Sequence, residues 1–172
     1  MSAPIRAKTK NVIDMAIRFS VMGRIFKPGS SKLISRKLEM TIGQFGKEDF
    51  EELHSSFCRW FMKRIKTTSG SRPSYGQAAK VLDVALKVIV YYCHLPQASV
   101  AVKIIPRLHS PIDTPIMLYL KRKCHIGKGL FTLSQVNKNA YKEFQSLLIK
   151  EAKEAGCPPV EYDDSLWRKL SR

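Results

Sequence analysis

"GQAAKVLDVALKVIVYY", residues Gly76 to Tyr92, is the most apolar run in the chain. Its apolar side chains, from Ala78 through Val90, point in nearly every direction around a helix. A helix apolar all round is a buried one, so this segment is expected to be the central helix of an all-α fold. Three charged residues interrupt it. Lys80, Asp83 and Lys87 stand three and four residues apart, which places them on one stripe of that helix. Two arrangements fit the spacing. One is a salt-bridge ladder on a solvated strip, of small energetic consequence. The other is a lysine held in an apolar cleft, where poor solvation lowers its pKa and turns the amine into a usable nucleophile.

The surrounding patterns are also helical. In "KEDFEELHSSFCRWFMKRIK", Lys47 to Lys66, the residues Phe50, Leu53, Phe57, Trp60, Phe61 and Ile65 form one face. Acids at its start and bases at its end suit the helix dipole. "NVIDMAIRFSVMGRIF" has helical spacing and is broken by "KPGSSK" from Lys27. "DTPIMLYLKRKC" opens on Asp113, a suitable N-cap, with Pro115 in the first turn. "SQVNKNAYKEFQSLLIKEAKEAG", Ser134 to Gly156, reads as an amphipathic helix ending on a glycine. "PPVEYDDSLWRKL" closes the chain, with Trp167 expected to cover the core. "ASVAVKIIPRLHSP", Ala98 to Pro111, alternates β-branched residues and then meets Pro106, so a short strand or extended loop is expected there. These patterns predict a compact single-domain bundle of about six helices around the central one. Residues 1–45 are expected to form a basic arm and first helix packed on a helical domain of residues 46–172.

The 172 residues carry 30 Lys and Arg against 14 Asp and Glu, a net charge of +16. Self-repulsion on that scale is a cost unless a polyanion neutralises it. DNA or RNA is the expected partner, met through a basic surface, and a protein partner within a nucleoprotein complex fits as well. The cations fall in clusters: Arg59, Lys63, Arg64 and Lys66; Lys121, Arg122, Lys123 and Lys128; and Arg6, Lys8 and Lys10 near the start. No run approaches the roughly 18 apolar residues of a spanning helix, and no secretory leader is evident, so a cytoplasmic protein off the membrane is expected. The four cysteines, Cys58, Cys93, Cys124 and Cys157, form no CxxC pair. The Cys93-His94 and Cys124-His125 dipeptides and the His54/Cys58 pair match no standard zinc spacing, so no metal and no other cofactor is expected.

"GQAAKVLDVALKVIVYY" taken with "LHSPIDTPIMLYL" resembles the catalytic half of the helix-hairpin-helix DNA glycosylase superfamily, most closely its archaeal 8-oxoguanine glycosylase type. The likeness spans about residues 75–120. Gly76-Gln77-Ala78-Ala79-Lys80 stands where the hairpin and its lysine would be, Lys87 where a second lysine would be, and Pro111-Ile112-Asp113 where a Pro-x-Asp segment would open the next helix. The glycine-rich hairpin is reduced here to "SYGQ", and no cysteine spacing matches the iron–sulfur cluster of some members. The resemblance implies that Lys80 attacks C1′ of an extruded nucleotide, Asp113 stabilises the developing cation, and Lys87 assists. It also implies that Gly76 and Gln77 contact phosphate. On this reading the chain is a glycosylase or abasic-site lyase. The alternative is a non-enzymatic helical subunit of a larger nucleoprotein or defence complex, whose lysine stripe meets phosphates directly.

Overall fold

The computed structural model describes residues 3–20, 22–126 and 129–170. The fold is all-α. The elements run α1 (Ala3–Phe19), α2 (Met22–Ile25), α3 (Ser30–Thr41), α4 (Phe50–Arg64), α5 (Tyr75–Leu86), a wider π-helical continuation (Lys87–Tyr92), α6 (Ala98–Ile104), α7 (Thr114–Cys124), α8 (Lys138–Glu154) and α9 (Pro159–Leu170). Among the described residues no strand forms; one isolated antiparallel bridge joins Phe26 and Thr67. Lys128 lies outside the described residues.

Helix α5 is central, as its apolar pattern requires. Ala78, Ala79, Leu82 and Ala85 have no exposed surface, and α1, α4 and α8 pack around it. Small alanines let the neighbouring backbones approach, while Ile13, Ile17, Phe57, Phe61 and Phe144 fill the spaces between. The helix starts on a capping box: Ser74 Oγ accepts from Gln77 N–H, and the Gln77 side chain accepts from Ser74 N–H. Past Leu86 the turn widens, and the Cys93 amide donates to Val88 O. Such widened turns occur often at functional sites.

The termini chemistry matches the sequence at several helices. Asp49 caps α4 through Glu52 N–H, Asp113 caps α7 through Ile116 N–H, and Gly156 takes a left-handed φ of 70° after α8. Three expectations change. Among the described residues of the first 45, three helices form, α1, α2 and α3, rather than an arm and one helix, and Ile13, Ala16 and Ile17 on α1 are fully buried. Residues 98–104 are helical, not extended. Ala101 and Ile104 face the core at helical spacing, and Pro106 sits just past α6 in a 3₁₀ turn, where it breaks no helical hydrogen bond. Trp167 does not cover the core; it is 53% exposed, and Leu166 is buried in its place.

Candidate functional site

The charged stripe of α5 divides in the folded chain. Lys87 is nearly buried and its ammonium lies 2.5 Å from both Asp163 Oδ2 and Asp164 Oδ1 on α9. Tyr92 adds a hydrogen bond from its hydroxyl to Asp164 Oδ1. Burial alone would lower the Lys87 pKa, but the charge and hydrogen bonds of Asp163 and Asp164 outweigh it and hold the ammonium above its ordinary value. Burial pushes the Asp163 carboxyl up to about 6 against the pull of Lys87. Lys87 is therefore an anchored cation that ties the central helix to α9. It is not a neutral amine.

Lys80 lies one stretch earlier on the same side and is half-buried. It shares a cleft of about 280 Å³ with Asp113, Lys87, Tyr92 and Trp167. The two residues expected to work together, Lys80 and Asp113, thus line one cleft, floored by Pro111 and Ile116. Among the described residues the Lys80 ammonium makes no ion pair or hydrogen bond, so it is the uncommitted cation there. The Oδ1 atom of Asp113 is occupied as the cap of α7. The mouth carries two large exposed aromatics, Tyr92 at 54% and Trp167 at 53% exposure.

Gly76 and Gln77 do not form an open phosphate clamp. The Gly76 amide donates to Val136 O, and the Gln77 amide is taken by the Ser74 cap. Gly76 is needed for a different reason: a Cβ there would lie 2.6 Å from the Val136 side chain. Two of the cations expected on the basic surface are also engaged internally. Lys121 donates to Leu130 O and its ammonium sits 4.4 Å from the centre of the Phe131 ring. Lys123 meets the buried Glu151 carboxylate at 2.5 Å. Arg122 remains exposed, as do Arg59, Lys63, Arg64 and Lys66 around the end of α4. Arg59 donates to the Ser56 hydroxyl on its own helix.

Asp83, the third member of the stripe, turns the other way. Its carboxylate is fully buried and meets His54 Nε2 at 2.8 Å, while the Tyr141 hydroxyl donates to its second oxygen at 2.7 Å. The Tyr141 oxygen is also 3.2 Å from His54 Nε2 and 2.9 Å from His109 Nδ1. His109 Nε2 in turn donates to Glu51 Oε1 at 2.7 Å, which holds the Glu51 carboxyl below the usual range despite partial burial. Burial, reinforced by the Asp83 charge, pushes the Tyr141 hydroxyl well above its ordinary pKa. Sequence spacing does not reveal this group. It singles out Asp83 in the lysine stripe and, separately, His54 beside Cys58, whose sulfur lies a loose 3.9 Å from His54 Nδ1, but joins neither to His109 or Tyr141.

The fold and the cleft define an all-α basic protein with a lysine–carboxylate–aromatic cleft. No protein-family model, curated protein or solved structure matches the chain.

Proposed function

We propose that this chain binds nucleic acid through its phosphates. The observation that carries the proposal is the joining of cations that are distant in sequence. The Lys27 amide donates to Lys66 O at 3.0 Å, and the Lys37 ammonium lies 5.9 Å from the centre of the Trp60 ring. The α2–α3 connection, α3 and the end of α4 therefore form one ridge bearing Lys27, Lys37, Lys63, Arg64 and Lys66. Among the described residues none of these five pairs with a carboxylate; the lysines that do are Lys10, Lys87 and Lys123. Three acids, Asp83, Glu151 and Asp163, are buried and so offer nothing to these cations. The cationic ridge is left to solvent, where a polyanion would release counterions on binding.

Anisotropy titrations of duplex and single-stranded DNA and RNA across a salt series test this. Affinity should fall linearly on log–log axes. The Lys63→Ala/Arg64→Ala/Lys66→Ala variant should flatten the slope by about one unit for each phosphate it no longer neutralises. A salt-independent affinity, or none at low salt, would sink the reading.

A second reading rests on the cleft. Lys80 and Asp113 line one hollow with two exposed aromatics, a setting that suits an extruded nucleoside stacked on Tyr92 or Trp167. There the Lys80 amine would add to the C1′ aldehyde of an abasic sugar, and loss of water would leave an imine reducible by borohydride. A trapped adduct with wild-type protein that disappears in Lys80→Gln supports a lyase. No adduct on any abasic or oxidised substrate leaves a non-enzymatic binder.

A further inference from the structure

The buried group around Asp83 has the composition and convergence of a metal centre. Its donor atoms come from four parts of the fold: His54 on α4, Asp83 on α5, His109 in the segment before α7, and Tyr141 on α8. One donor atom each from His54, Asp83 and His109 lies within 4.8 Å of the others. The Tyr141 oxygen stands beside all three, at 2.7 to 3.2 Å. We propose that His54, Asp83, His109 and Tyr141 bind one first-row divalent metal ion, zinc in the first instance, as a closed structural site.

Several independent features point there. Two imidazoles with a carboxylate and a phenol oxygen make a nitrogen–oxygen set suited to zinc and its neighbours. Around a tetrahedral ion with bonds of about 2.0 to 2.2 Å, donor atoms stand roughly 3.3 Å apart. The hydrogen-bonded separations of 2.7 to 3.2 Å would open by up to about 0.6 Å, and any wider separation among the three ligand atoms, all within 4.8 Å, would close. The outer shell is also in place. His109 presents Nδ1 inward while its Nε2–H is fixed by Glu51 Oε1, the carboxylate–histidine arrangement that sets ring orientation and ligand basicity at metal sites. Charge adds a further reason. Asp83 has a fully buried carboxylate that no lysine or arginine meets among the described residues; its one ion-pairing partner is His54, so a divalent ion held between the two would neutralise it more fully. Finally there is a way in. A surface hollow of about 570 Å³ reaches Glu51 and His109. Burial of all four donors leaves no open position for substrate, so the ion would lock α4, α5 and α8 together rather than do chemistry.

The alternative occupant of this space is the hydrogen-bonded chain itself, with no ion, and the test separates the two. Full-length protein would be stripped with a chelator, then titrated with zinc and, separately, cobalt(II). One equivalent of zinc should bind and raise the thermal midpoint, and cobalt should give the intense visible bands of tetrahedral coordination. His109→Gln and Asp83→Asn should abolish stoichiometric binding. Because either substitution also breaks a buried hydrogen-bond network and so endangers folding, Glu51→Gln serves as the second probe: its carboxylate is 62% exposed, and its loss should weaken zinc binding by about 10- to 100-fold while leaving the fold intact. Stripped wild-type protein that takes up no stoichiometric metal would overturn the proposal. So would a weak octahedral cobalt spectrum, or Glu51→Gln binding zinc as tightly as wild type. None of these outcomes depends on whether the protein binds nucleic acid.

Discussion

Two sides of helix α5 receive charges from the same short stripe and treat them in opposite ways. On the side facing α4 and α8, Asp83 enters a closed set of histidine and tyrosine partners with no solvent. On the side facing α9 and the start of α7, Lys80 and Lys87 line an open cleft with aromatics at its mouth. Even within that cleft the lysines differ, since the two carboxylates of α9 pair with Lys87 and neither pairs with Lys80. A charge on a helix has no fixed role of its own. Its role follows from what the neighbouring helices present at that height.

The largest expected effect tests the anchored lysine against the uncommitted one. Lys87→Met should destabilise the fold by about 3–5 kcal/mol, because it strands a buried carboxylate without its cation. Adding Asp163→Leu should recover most of that loss. Lys80→Met should stay within about 0.5 kcal/mol of wild type. Chemical denaturation of the three variants checks all of this, and equal effects at Lys80 and Lys87 would erase the distinction drawn between them.

A smaller effect is expected at the start of α5, where the hairpin resemblance and the packing give different reasons for the same glycine. Gly76→Ala should cost about 1–3 kcal/mol through its clash with Val136. Its effect on nucleic-acid affinity should be slight, since the Gly76 amide is already bonded. Weakened affinity at unchanged stability would restore the phosphate-clamp role.

The smallest effect separates the two jobs open to Asp113. Asp113→Ala should cost about 1 kcal/mol by removing the cap of α7, whereas Asp113→Asn should cap nearly as well. Thermal midpoints measure the cap. If Asp113→Asn keeps the midpoint but abolishes borohydride trapping by a trapping-competent wild type, the carboxylate acts in chemistry; if trapping is unchanged, it is a cap alone.

Much of the helical frame is legible in the sequence for local reasons. Capping residues such as Asp113, the glycine after α8 and the apolar periodicity of α4 and α5 act within a few residues of themselves, so their signals survive in sequence. Helix α6 is hidden because its β-branched residues suggest extension, and the packing of Ala101 and Ile104 overrides that preference. The place of Trp167 is equally hidden, because its helix can be rotated either way until α7 and α8 are in position.

The sequence by itself determined a basic all-α chain with a central apolar helix; the pairing of Lys80 with Asp113 is only what the resemblance implies. Only the tertiary structure decided which charges are buried. His54, Asp83, His109 and Tyr141 come together across separations of 26 (109 − 83) to 87 residues, and no local spacing encodes such a meeting. The physical reason is one of range. Caps and periodicity are settled by neighbours along the helix, but the environment of a charge is set by whichever helices pack against it, and that packing exists only in the folded chain.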